Sequence, residues 1–205
     1  MKNVLLLGAT GTAGTAIAKK LLTDTDCHLT LFSRHADETD IKNPNAVCIK
    51  GDATKMEELR IALKDQDVVY CAISGGQLPT VAKNLVTGMD ELGMKRLIFM
   101  GAVGIYNELP EGNGAEYNVD NESAQVPNRK AVDIIEESDL EYTILRPGFL
   151  RGGDEEDFAL TMKGEPAKGY ITTIPSVVKL AVSLILDDGQ YVRESVSIAR
   201  DGMKQ

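Results

Sequence analysis

Cysteine and histidine are scarce in this 205-residue chain, with three of the first and two of the second. Cys27, Cys48 and Cys71 are odd in number and lie within or beside apolar stretches. That excludes a disulfide framework and a thiolate metal centre, and they are expected to be buried free thiols of a cytosolic protein. His28 and His35 flank one strand and form no ligand cluster, so no metal site is expected. Basic residues are also outnumbered. Lys plus Arg total 22 against 31 Asp plus Glu, a net charge of −9, which argues against nucleic-acid and anionic-membrane partners. No apolar run reaches membrane-spanning length. Met1 to Leu7 is too short, and meets a glycine turn too soon, to be a signal peptide. Repeats, low-complexity tracts and an interdomain linker are lacking, so one domain over residues 1–205 is expected, large enough for a full core.

What is present begins at once. The apolar run Val4-Leu5-Leu6-Leu7 leads into Gly8-Ala9-Thr10-Gly11-Thr12-Ala13-Gly14, and Ile17, Leu21 and Leu22 then recur at helical spacing. Strand, glycine loop and helix in that order cradle a pyrophosphate. Gly8 allows the tight turn, Gly11 the close approach of ligand to backbone, and Gly14 the packing of helix on strand. Free N–H groups at the helix start, with the positive end of the helix dipole, face the phosphates. No Gly-Lys-Ser/Thr follows the loop, which argues against nucleotide triphosphate hydrolysis.

Strands and helices alternate from there. Strands are expected at His28 to Phe32, Ala46 to Lys50, Asp67 to Ile73, Arg96 to Met100, Tyr142 to Leu145 and Ser195 to Ala199. Helices are expected at Lys55 to Lys64, Thr80 to Leu92, Asn128 to Glu137 and Ser176 to Leu186. Repeated βα units predict an α/β fold with a doubly wound parallel sheet and helices on both faces. Right-handed crossovers place the strand C-termini along one edge, where ligands bind. Two polar stretches, Asn107 to Pro127 and Arg151 to Gly169, read as irregular loops beyond strand ends. Such loops commonly cover a substrate. Residues 1–150 then form a cofactor-binding core, and 151–205 a small C-terminal substrate-covering part.

The strand ends supply the remaining cofactor candidates. After the second strand the chain has Ser33-Arg34 in place of the carboxylate that favours NAD. Arg34 can hold a 2′-phosphate in a forked, charge-assisted geometry, and Ser33 adds a hydroxyl, which favours NADP. His35 is either a second phosphate contact or an exposed bystander. After the third strand, Asp52 (followed by Ala53) is placed to accept from an adenine amino group, to cap the next helix, or both. Ala72, Ile73, Ser74 and Gly75 end the fourth strand, and their small size lets the backbone run beside the nicotinamide ribose.

These residues, together with Val103-Gly104-Ile105-Tyr106 and the run Tyr142-Thr143-Ile144-Leu145-Arg146-Pro147-Gly148-Phe149-Leu150, resemble the atypical short-chain dehydrogenase/reductases, specifically their NmrA-like, NAD(P)H-binding branch. The resemblance implies a Rossmann-like fold. It also implies that Pro147, Gly148 and Phe149 lie where the sixth strand meets the nicotinamide end of the cofactor. Relatives in the branch include flavin and biliverdin reductases, more distantly sugar-nucleotide enzymes, and redox-sensing regulators that bind cofactor without turnover.

The wider superfamily uses a Ser, and a Tyr four residues before a Lys, as its acid/base apparatus. Here Gly101-Ala102 stands where the Ser is expected, and Val126 stands four residues before Lys130. Lys130 is a ribose-holding candidate or a solvated helix lysine. Tyr106 is the candidate phenol, or an aromatic packed beneath a loop. Phe149, Leu150, Phe158 and Met162 can line an acceptor pocket or simply belong to the core. Asp154-Glu155-Glu156-Asp157 reads as a solvated acidic segment and not a metal site. The expectation is an NADPH-dependent reductase of a flavin, quinone or carbonyl-type acceptor. The alternatives are a non-catalytic NADP(H)-sensing regulator and, ranked last, a nucleotide-sugar epimerase or dehydratase. A small-molecule substrate is expected, and a homodimer is left open.

Overall fold

Val4, Leu5, Leu6 and Leu7 are all fully buried, yet they divide between two cores. Alternate side chains of a strand point to opposite faces, so a strand buried on both sides must be apolar throughout. The computed structural model describes residues 1–200 and shows this arrangement repeated across a sheet. Its strands are β1 (Asn3–Leu7), β2 (His28–Ser33), β3 (Ala46–Lys50), β4 (Val68–Cys71), β5 (Arg96–Met100), β6 (Glu141–Pro147), β8 (Ala159–Met162) and β10 (Glu194–Ala199). The spatial order is β3-β2-β1-β4-β5-β6-β10-β8. All pairings are parallel except that of β8 with β10.

Five helices cover the sheet: α1 (Thr12–Asp24), α2 (Met56–Leu63), α3 (Leu78–Glu91), α4 (Val126–Glu136) and α5 (Ile174–Leu186). One core joins Leu5, Leu7, Val69, Cys71, Leu97 and Phe99 to residues of α2, α3 and α4, among them Leu59, Leu85 and Val132. The opposite core joins Val4, Leu6, Val68, Tyr70 and Ile98 to Ile17 and Leu21 of α1 and Val177, Leu184 and Ile185 of α5. The doubly wound α/β sandwich expected from the alternation is therefore present. The four helices given bounds from sequence, α2 to α5, are all present, with ends shifted by at most two residues. Such shifts reflect caps and terminal turns that periodicity does not register.

A small cap sits on the C-terminal edge of the sheet. Directly after β6, strand β7 (Phe149–Arg151) pairs in parallel with β9 (Ile171–Thr173). Beneath them Val103, Leu109, Ala167, Tyr170 and Ile171 form a third apolar cluster, with Tyr117 against it. Gly148 sets the spacing: a Cβ there would lie 2.4 Å from the carbonyl carbon of Tyr170. Thr173 then caps α5 by accepting from the Ser176 amide.

Two expectations need correction. The stretch Arg151 to Gly169 is not wholly irregular, because β8 lies within it and pairs Thr161 with Ser197. A four-residue strand is too short to show a period. Of the two readings of Phe158 and Met162 the core one is found: both pack against the α1/α5 core. Cys27 and Cys71 are buried, but Cys48 is exposed, because β3 is an edge strand with only β2 beside it. Among the described residues no helix is long and apolar enough to cross a membrane, and no cluster of metal-ligating side chains occurs.

Candidate cofactor site

β1 lies between β2 and β4. The chain winds outward to one side through β2 and β3, and to the other through β4 to β6. Crevices open at such a reversal, outside the strand C-termini. The cleft found there is lined by Gly8, Thr10 and Gly11 after β1, by Phe32, Ser33, Arg34 and His35 from β2, and by Gly51, Asp52 and Ala53 after β3. Ala72, Ile73 and Ser74 after β4 complete it with Gln77 and Val81 at the start of α3. Four separate strand ends thus converge on one cavity.

The glycine loop is shaped for close approach. Gly8 adopts φ +77° and lies against Ala72, where a Cβ would come within 2.9 Å of the carbonyl. That backbone region is open to glycine and strained for other residues. The Gly8 amide donates to the Phe32 carbonyl (3.0 Å) and the Gly11 amide to the Gly8 carbonyl (3.0 Å). Both are therefore occupied in building the turn. The first helical bond of α1 runs from the Thr15 amide to the Gly11 carbonyl at 2.8 Å, so the amides of Thr12, Ala13 and Gly14 precede the helical ladder. The N-cap is Gly11, no side chain caps the helix, and its first turn carries no acidic residue. The anion-binding capacity of this helix start is uncompromised by the protein's own groups.

The corner where β1 and β2 end is built from hydroxyls and one cation without an ion pair among the described residues. Thr10 Oγ1 and Ser33 Oγ are 3.0 Å apart, and Ser33 Oγ also accepts from the His35 amide at 3.0 Å. Arg34 is exposed and, among the described residues, has no ion pair or hydrogen bond. Its neighbours do. Asp37 pairs with Lys50 (2.9 Å), Glu38 with His35 (3.1 Å) and Asp40 with Lys19 (3.7 Å). These three carboxylates are thus engaged elsewhere. Asp52 Oδ1 accepts from both the amide and hydroxyl of Thr54, at 2.9 and 2.8 Å. These bonds hold its carboxyl below the usual range, and the charge of Arg34 adds to the effect. The expected capping role is not found, because α2 begins at Met56 with Lys55 as its N-cap and no side-chain cap; Asp52 instead braces the turn before the helix and lines the cleft.

Gly75 and the start of α1 at Thr12 and Ala13 adjoin the cleft without lining it. Phe32, Gln77 and Val81 line it but were not singled out from sequence. Phe32 reads there as an ordinary core aromatic. Gln77 and Val81 stand four apart at a helix start, a spacing shared by any amphipathic helix. Pro147 and Gly148 are buried in the cap, while Phe149 is exposed at the end of β6.

Tyr106 and Lys130 are not brought to the cleft. After β5 the chain turns so that the Tyr106 hydroxyl donates to Glu136 Oε1 (2.7 Å), in the last turn of α4, and lies 3.1 Å from Ser195 Oγ, near the start of β10. Arg129, Arg146 and Lys163 surround the ring at 4.5 to 4.9 Å from its centroid. Burial drives the phenol pKa upward, which opposes ionisation. Arg146 is itself fully buried, bonded to Ser195 and paired with Glu108. Lys130 is exposed on α4 and makes no hydrogen bond or ion pair among the described residues. Gly101 and Ala102 follow β5, so that position offers no hydroxyl.

Known proteins agree with this geometry. A family model described as NAD(P)H-binding matches residues 8–188. A Rossmann-fold NAD(P)-binding family protein from Shigella flexneri is 33% identical, with 100% of this chain and 98% of that chain covered and a TM-score of 0.85. A wide-type short-chain dehydrogenase/reductase from Veillonella parvula, solved in complex with NADP, is 26% identical, with 98% and 95% covered and a TM-score of 0.89. At 20% identity, ChuY, an anaerobillin reductase from Escherichia coli O157:H7, shares the fold, with both chains fully covered and a TM-score of 0.81. The comparison with curated proteins gives no match.

Proposed function

Because this chain belongs to the NAD(P)H-binding family, in its atypical short-chain dehydrogenase/reductase branch, we propose that it binds NADP(H) and reduces a flavin-, quinone- or carbonyl-type acceptor. The observation that carries the NADP preference is Arg34, exposed just after β2 with no ion pair or hydrogen bond among the described residues, while Asp37, Glu38 and Asp40 each have another partner. A guanidinium with no internal partner forms a strong forked pair with a phosphate. Thr10 and Ser33 bring two hydroxyls to the same corner. The solved complex of the Veillonella protein with NADP supports the same choice.

In this reading the amides of Thr12 and Ala13 hold the pyrophosphate, and Asp52 faces the adenine with the oxygen that Thr54 leaves free. Ala72 to Gly75 carry the backbone toward the nicotinamide ribose. The bound coenzyme supplies a hydride donor. The protein positions it and excludes water. No phenol lines the cleft among the described residues, and the serines that do, Ser33 and Ser74, have no tyrosine to work with, so in this reading the proton comes from solvent or from the acceptor's own conjugated system. The test is oxidation of NADPH with a panel of flavins, quinones and small carbonyls. At least one acceptor must raise consumption above background, and if none does the reductase reading fails.

The same lack of a phenol at the cleft favours a second reading, in which NADP(H) occupancy is passed to a partner without turnover. Under that reading the coenzyme binds with full affinity while every acceptor leaves its oxidation rate at background.

A further inference from the structure

We propose that Phe149, braced by Tyr117 and Tyr170, is the stacking face for a planar conjugated acceptor; this rests on the reductase reading above. Phe149 follows β6 directly and is the first residue of the cap. It therefore stands on the same sheet edge as the cofactor cleft. The strand β6 lies two places beyond β4, which at about 4.8 Å per strand is roughly 10 Å along that edge. A dinucleotide held at β1 and β4 by its pyrophosphate is long enough to cross this interval.

The ring is exposed but not loose. It keeps 47% of its surface in solvent. Its centroid is 4.7 Å from that of Tyr117, with the rings at 75°, and 6.4 Å from that of Tyr170, at 89°. Both contacts are edge-to-face, so neither neighbour lies flat against Phe149. The backbone is fixed as well: the Phe149 amide donates to the Tyr170 carbonyl at 2.7 Å, and Gly148 leaves no slack against the same group. A pre-positioned aromatic with an open side loses little entropy when a flat π-system stacks on it. Leu150 beside it is 37% exposed and extends the apolar surface.

The chemistry of the cleft points to the same ligand class. With no tyrosine lining the cleft, the acceptor in this reading takes up a hydride before its proton arrives. An extended conjugated ring delocalises the electron pair, whereas an isolated aliphatic carbonyl does not. The predicted acceptor is therefore a fused, planar, electron-poor ring system of the isoalloxazine or naphthoquinone kind.

The test separates binding from turnover. FMN is titrated by fluorescence quenching into protein saturated with NADP+, using wild type, Phe149→Ala and Phe149→Leu. Wild type is expected to bind FMN, and both variants about tenfold more weakly, with NADP+ affinity unchanged. The leucine variant keeps apolar bulk and lacks the flat face, so it distinguishes stacking from burial and serves if the alanine variant folds poorly. Equal FMN affinity in wild type and Phe149→Leu overturns the proposal, as does wild type that binds no FMN. Failure of the reductase reading looks different: FMN binds and depends on Phe149, but no NADPH is consumed.

Discussion

The hydroxyls of Thr10 and Ser33 meet at 3.0 Å, tying the glycine loop of β1 to the end of β2. Ser33 in turn accepts the His35 amide, which fixes the path of the chain through Arg34. A residue that makes no contact of its own is thus placed by bonds on both sides of it.

Reversing the charge at that residue gives the first prediction. Arg34→Asp removes a phosphate partner and adds a repelling carboxylate. NADPH affinity is expected to fall by about a hundredfold, from a charge-assisted bond worth roughly 1.5–3 kcal/mol plus the repulsion. NADH affinity is expected to change by less than about threefold. Calorimetric titration with each coenzyme measures both, and an equal loss for the two would refute the assigned role.

Two glycines of one loop should behave differently. A Cβ at Gly11 would lie 3.3 Å from the Gly8 carbonyl oxygen, whereas one at Gly14 would lie 2.2 Å from it. Gly11→Val should keep a melting temperature near that of wild type while losing coenzyme binding, because the side chain projects where the pyrophosphate approaches. Gly14→Val should instead unfold the protein or lower its melting temperature sharply. Differential scanning calorimetry beside coenzyme titration separates the two outcomes.

Tyr106→Phe tests whether the phenol takes part in turnover. Its hydroxyl is committed to Glu136 and Ser195. The variant should retain acceptor reduction within about threefold and lose about 1 kcal/mol of stability from the broken hydrogen bond. A hundredfold fall in kcat, with the fold intact, would return Tyr106 to the chemistry.

Asp52 makes a prediction in pH. Its folded pKa is depressed, chiefly by the Thr54 amide and hydroxyl. A depressed carboxyl contributes its stability in full above the unfolded value near 4, and loses it as the pH falls through the lower folded value. Asp52→Ala should therefore lower stability by about 1 kcal/mol at neutral pH through the lost turn hydrogen bonds, with the gap to wild type closing below about pH 4. Urea melts at several pH values report this, and a gap that persists into strong acid would contradict it.

Thiol titration checks the edge position of β3. Cys48 is exposed, while Cys27 and Cys71 are buried, and burial pushes the Cys71 thiol up to about 12. An aromatic disulfide reagent should modify Cys48 rapidly in native protein and reach the other two after unfolding.

Much of this arrangement was legible from the residues. Val4 to Leu7 and Arg96 to Met100 are apolar enough that only a sheet covered on both faces accommodates them. Ser33, Arg34, Asp52 and Ala72 were identifiable because each stands at a strand end, and in a parallel sheet those ends share one edge. What failed depends on information that is not local. The exposure of Cys48 follows from strand order, which β3 itself does not encode. The direction of the Tyr106 phenol is set by Glu136 and Ser195, 30 and 89 residues away. β8 was missed because its four residues gain their identity only from pairing with β10.

Gly148 has a consequence for how such a chain can vary. Because the carbonyl of Tyr170 occupies the room a side chain would need, any larger residue there acts as a wedge that levers the two-stranded roof away from β6. The altitude of that roof over the C-terminal edge of the sheet is thus governed by a single hydrogen atom. Mutational drift can reshape the roof's exposed apolar surface at Phe149 and Leu150 without touching the hinge stone on which the whole canopy is seated.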